Sequence, residues 1–187
     1  MSLSFLAGVF AGIASIIYIH GILTNDIQPV KASSVLGTIF TISIFIDMWH
    51  RDAVNGQILM SALSVCITMP LTLRFGRPGW EPVDVLFFTF GLGGIFVWSF
   101  VEDPNWRIAI GLLTLAIGSI PTWVWRWKVP RHENRTSLMF GMAASICAIA
   151  GIPQLAFAHA AQPIAFLMLQ SIMGYLVWVR PRYLAYK

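Results

Sequence analysis

Three features predict an all-α integral membrane protein. Of the 187 residues, 57% are hydrophobic and only 11% charged, and the mean hydropathy is +0.74. A helix needs about 20 mainly apolar residues to cross about 30 Å of hydrocarbon. Seven segments are read as such spans, at about residues 3–23, 33–48, 54–73, 84–101, 107–125, 137–158 and 163–180. So little chain is left between them that one transmembrane domain, residues 1–187, must hold any functional site.

The first span opens with "MSLSFLAG", which lacks the basic region and cleavage site of a signal peptide, so it is expected to be a retained helix. Its Gly8 and Gly12 form a GxxxG pair suited to close helix contact. Near its end His20 reads either as a hydrogen-bonded core histidine or as a group that titrates during a working cycle. The second span places Ser34, Thr38 and Thr41 on one face. The third does the same with Gln57, Ser61, Ser64 and Thr68 at steps of four, three and four, a helical period amid apolar neighbours. Asp84 opens the fourth span, where a carboxylate serves as an N-terminal cap or salt-bridge partner, or else couples a proton or substrate.

The fifth span carries a small-residue stripe, Gly111, Thr114, Gly118 and Thr122, and a proline, Pro121, that removes a backbone donor and weakens the helix locally. Pro121 and Thr122 read as a hinge, although proline is also tolerated in membrane helices without moving. Trp123, Trp125 and Trp127 follow at the depth where indoles gather at the headgroups. Gly141 and Ser145 continue the packing stripe in the sixth span, and Gln170, Ser171 and Gly174 give the seventh a polar face. If these polar faces converge they line a cavity for a neutral polar solute. If they do not, they are interhelical glue worth about 0.6 kcal/mol per hydrogen bond. Gln57 and Gln170 are the strongest cavity candidates, because a primary amide is costly to leave unpaired in lipid.

Charge is distributed unevenly. Alternating the loops across seven spans puts ten of the twelve Lys and Arg residues on one side and only Arg51 and Arg107 on the other. The positive-inside rule then places the C-terminus and the 126–135 loop in the cytoplasm and the N-terminus outside. The basic excess sets topology and attracts anionic headgroups, with no nucleic-acid partner needed. Cys66 and Cys147 each fall in an apolar run and read as small buried hydrophobes.

Shifting the chain by 104 residues lays 14–37 over 118–141, matching Ser15 to Ser119, Ile16 to Ile120, Lys31 to Arg135, Ser33 to Ser137 and Gly37 to Gly141. The same shift maps spans one to three onto five to seven. That is a 3+1+3 arrangement of two parallel three-helix repeats, at about 3–73 and 107–180, with a linker helix at about 84–101. This plan resembles the SWEET sugar transporters and the wider PQ-loop group, and is most similar to uncharacterised bacterial seven-helix proteins allied to that fold. The residues carrying the resemblance are Pro29, Asp84 in "EPVDVLFF", Trp98, "IPT" at Ile120 to Thr122, and Trp127, Pro130 and Glu133. Two departures stand out: Thr122 occupies the place of the group's glutamine, and Pro153-Gln154 lies away from the motif's usual position.

The resemblance implies a multi-pass protein of the bacterial plasma membrane that moves a small polar solute, sugar-like or amino-acid-like, by alternating access. The competing expectation is a non-transporting receptor or assembly subunit that grips a partner at the Arg126 to Arg135 face. The expected partners are the bilayer and the solute, and a homo-oligomer is compatible with the plan. Enzymatic motifs are lacking: there is no Ser-His-Asp array, zinc pair, phosphate loop or CxxC, and the four histidines have no ligand-like spacing. No metal or cofactor is therefore expected. A retinal Schiff base is excluded, because Lys31, Lys128 and Lys187 all lie outside the spans.

Overall fold

The computed structural model describes residues 2–129 and 134–179. Of the sequence features above, Pro130, Arg131, His132, Glu133, Arg180, Arg182 and Lys187 lie outside the described residues.

Seven α-helices make up the described chain, with no strand: α1 (Leu3–Leu23), α2 (Lys31–Trp49), α3 (Gly56–Phe75), α4 (Pro82–Ser99), α5 (Pro104–Lys128), α6 (Arg135–Ala150) and α7 (Phe157–Gly174). A π-helical stretch, Tyr175–Val179, extends α7. Side chains mark several starts. Ser2 accepts from the Phe5 N–H, Asn55 from Ile58, Asp103 from Asn105 and Asn134 from Ser137, each satisfying a donor that the helix leaves orphaned. Among the described residues, six helices are long and apolar enough to cross a membrane, the last counted through Val179.

α6 corrects the expected boundaries. A span over about 137–158 was expected, but the helix stops at Ala150, since Gly151 ends it and Pro153 cannot continue it. With 16 residues it measures about 24 Å at 1.5 Å per residue, short of about 30 Å of hydrocarbon. The seventh helix was expected from about 163 and instead begins at Phe157, carrying Pro163 within its second turn. Prolines are also accommodated inside α3 (Pro70) and α5 (Pro121), and α5 runs through Pro121 without interruption.

Packing follows a simple order. α3 lies against both α1 and α2, and α7 against both α5 and α6; α1 meets α6, and α2 meets α5. Those contacts close a ring of six helices, and α4 packs outside it on α5 and α2. The apolar core runs along α2 as Leu36, Phe40, Ile44 and Met48, a strict four-residue stripe, and meets Ile58, Ile108 and Leu112. Small residues set the α1–α3 distance. A Cβ on Gly8 would lie 3.2 Å from the Gly56 carbonyl oxygen, so the two backbones nearly touch. Cys66 is exposed, not buried as its apolar setting suggested, because that face of α3 points away from the ring.

The loop contacts define two ends. At the basic end the Arg77 N–H donates to the Pro29 carbonyl, and Lys128 bonds Glu81 at 2.8 Å. At the far end Arg51 pairs with Asp103 at 3.0 Å, and the Gly56 N–H donates to the Ser4 hydroxyl.

Candidate functional site

A cavity of about 410 Å³ occupies the middle of the helix ring. From the far end it starts at Gln57, in the first turn of α3, and it reaches Pro29, Val30 and Ser137 at the basic end. α3 contributes Gln57, Ser61, Ser64 and Thr68, the four residues whose spacing marked a polar face, and α7 contributes Gln170. Ser34 and Thr41 of α2 also reach it, as does Thr122 of α5. Thr38 is buried with its hydroxyl donated to the Ser34 carbonyl.

Several expected residues lie elsewhere. Ser171 is exposed and donates to the Leu167 carbonyl, so it does not line the cavity. Pro121 is buried beside the cavity without lining it. His20 is exposed in the last turn of α1, neither in the core nor in the cavity. Asp84 is buried at the start of α4, where it pairs with Arg77 and accepts from the Glu81 N–H at 2.8 Å. The three tryptophans of α5 also separate. Trp123 faces the cavity, the Arg77 guanidinium stacks 4.8 Å over Trp125, and Trp127 is exposed.

Sequence reading missed a second group of lining residues: Ser15, Tyr18, Ser33, Ser119, Trp123 and Ser137. The signal for four of them lay in the internal repeat. Ser15 and Ser119, Ser33 and Ser137, and Gly37 and Gly141, paired by the 104-residue shift, all line the cavity. So do Ala11 with Leu115, Tyr18 with Thr122, and Val65 with Leu169, which the same shift relates.

The described lining holds hydroxyls, carboxamides, an indole and a phenol among apolar groups, with no Asp, Glu, Lys, Arg or His. Such a surface can donate and accept hydrogen bonds but cannot neutralise a charge. A buried ion would remain unpaired there at a cost of several kcal/mol.

Gln57 is also part of a buried chain of bonds. Its Nε2 donates to the Ser145 hydroxyl at 2.6 Å, and its Oε1 accepts from Gln162 Nε2 at 3.3 Å. Gln162 Oε1 in turn accepts from Asn55 Nδ2 at 2.9 Å. The Ser145 hydroxyl lies 2.9 Å from Gln170 Oε1, with the Gly141 carbonyl as the alternative acceptor at 3.3 Å.

Two ionic clusters hold α4 against the ring. At the basic end Arg77 joins Asp84 and Glu81, and Lys128 joins Glu81 from the other side. Hydrogen bonding from Lys128, reinforced by the Arg77 charge, holds the Glu81 carboxyl below its ordinary range. At the far end Asp47, 1% exposed, accepts from the Trp98 indole at 3.1 Å. Arg107 Nε lies 3.1 Å from Asp47 as an ion contact, off the hydrogen-bond axis, with its guanidinium 3.9 Å over the Trp98 ring. Arg126, expected on an accessible basic face, is fully buried near the Gln28 carbonyl.

Among the described residues no group of His, Cys, Asp or Glu could hold a metal ion. In comparisons with known proteins, no family model matches the chain, and neither the curated proteins nor the solved structures give a match.

Proposed function

We propose that this chain is a membrane transporter of small, uncharged, polar solutes, built as two parallel three-helix units, α1–α3 and α5–α7, around the central cavity, with α4 as the linker. The observation that carries the reading is the cavity itself. Its volume of about 410 Å³ falls in the usual range for small-molecule sites, and hydroxyls and amides from both proposed units line it. The helix order supports the two-unit plan, because α1–α3–α2 and α5–α7–α6 adjoin in the same sequence. Residue pairs 104 apart that share the cavity support it as well.

In this reading α6 is the sixth crossing, completed by the Gly151–Ala156 connection, and the basic end lies in the cytoplasm of a bacterium. Rocking of one unit against the other exposes the cavity to alternate sides. Pro121 supplies compliance in α5 directly beside the lining residue Thr122. Of the two solute classes raised by the sequence, the uncharged lining favours a polyhydroxy compound over an amino acid, whose ammonium and carboxylate groups would find no counter-charge.

Uptake of a radiolabelled panel into proteoliposomes tests the reading. The expected result is saturable flux of neutral polyols with little flux of zwitterions or ions. Flux no greater than in empty vesicles, from protein that remains folded, would overturn it.

A further inference from the structure

A second cavity of about 230 Å³ lies at the far end, between the starts of α1 and α3 and the short end of α6. It exists because α6 stops at Ala150, leaving a notch under Gly151, Ile152 and Pro153. Polar groups from Ser4, Asp52, Asn55 and His159 line it.

The two cavities share no lining residue, yet one chain of hydrogen bonds joins them. Asn55 lines the small cavity and Gln57 lines the large one, and Gln162, fully buried on α7, bonds to both. Beyond Gln57 the chain continues through Ser145 to Gln170, so it crosses α3, α7 and α6. From these placements we infer that this carboxamide layer is the closed partition between the central cavity and the far-end notch. The inference rests on the transport reading and specifies its far side.

The chemistry of the layer explains its selectivity. Each amide both donates and accepts, so a solute carrying several hydroxyls can replace one amide bond at a time without leaving a buried group unpaired. An ion cannot make that exchange, because none of the five side chains carries a charge to meet it. Gln162 is the key residue, since among the described residues its side chain hydrogen-bonds to a lining residue of each cavity.

Thiol accessibility tests the partition without any solute flux, so its failure is distinguishable from failure of the transport reading. In a Cys66→Ala, Cys147→Ala background, Ser61→Cys reports from the large cavity, and Leu155→Cys, 97% exposed, identifies the far side of oriented proteoliposomes. A membrane-impermeant charged methanethiosulfonate is applied to each side in turn. Gln162→Ala, which removes the amide and opens the space it fills between Asn55 and Gln57, is expected to raise the far-side modification rate of Ser61→Cys at least tenfold and leave the basic-side rate unchanged. If Gln162→Ala fails to fold, Gln57→Ala carries the same expectation from the neighbouring link. A far-side rate unchanged in a folded variant would overturn the inference, as would a rate that is already equal from both sides before any substitution in the layer.

Discussion

The seam between α2 and α5 and the seam between α1 and α6 are built differently. Along α2–α5, large side chains fill the gap: Leu36 packs under Gly118, and Ile44 and Phe40 under Gly111. α4 is then held across that side at both ends. Asp84 pairs with Arg77, whose guanidinium covers Trp125 of α5. Trp98 bonds Asp47 and lies beneath Arg107, and that Asp47–Arg107 ion pair itself joins α2 to α5. The α1–α6 seam has no ion pair among the described residues. It is made of small buried groups such as Ala7, Ala11, Ala144 and Ala148, the Phe10–Phe140 contact, and one bond from the Ser137 hydroxyl to the Ala14 carbonyl at 2.8 Å. The difference teaches where motion is cheapest. Judged on the described residues, a seam held by dispersion and neutral hydrogen bonding separates at lower cost than one that must expose buried charge.

The largest expected effect is at Asp47. Asp47→Ala leaves the Trp98 indole without an acceptor and Arg107 without its counter-ion, and a cost of about 3 kcal/mol is expected in reversible unfolding of the purified protein. At the opposite end of α4, Arg77→Met leaves the buried Asp84 carboxylate without its counter-ion. It is expected to cost less, about 2 kcal/mol in the same assay, because Asp84 keeps the Glu81 N–H as a donor. On the other seam Ser137→Ala removes one hydrogen bond, and a loss of about 0.6 kcal/mol is expected. Should Ser137→Ala prove as costly as Asp47→Ala, the two seams would be equivalent and the contrast would fail.

The smallest effect concerns pH. Glu81 is held ionised below its ordinary range by Lys128 and Arg77, so its contribution is complete above that range and fades as pH falls through its lowered value. Glu81→Gln is expected to flatten that acid limb in a thermal-stability profile, lowering stability slightly in the neutral region and leaving it unchanged at the acid end, where the wild-type carboxyl is already protonated. An acid limb identical in the variant would remove Glu81 from the account.

Helix positions were legible where composition alone decides them. The first five expected spans agree with α1 to α5 within about three residues at either end, because apolar runs there are separated by charged or Pro/Gly-rich loops. The boundary between α6 and α7 was not, since Gly151 to Ala161 is still apolar. Only backbone chemistry shows that Gly151 and Pro153 end one helix while Pro163 is carried inside the next. Spacing found Gln57, Ser61, Ser64 and Thr68, which share one face of one helix. It could not find Gln162 or Asn55, whose significance comes from bonds between residues over 100 positions apart. Ser145 looked like packing and does lie in a packed seam, yet its hydroxyl also links Gln57 to Gln170. Trp123 read as an interfacial anchor because helix direction does not reveal which way an indole turns.

The most direct measurement is uptake of neutral polyols into proteoliposomes by the wild-type chain and by Ser61→Trp, whose indole would fill the cavity lined by Ser61. The account predicts saturable uptake by the wild type and uptake at the empty-vesicle level by the folded variant. Equal uptake by both would contradict it, because the solute would then be crossing somewhere other than the space between the two sets of helices.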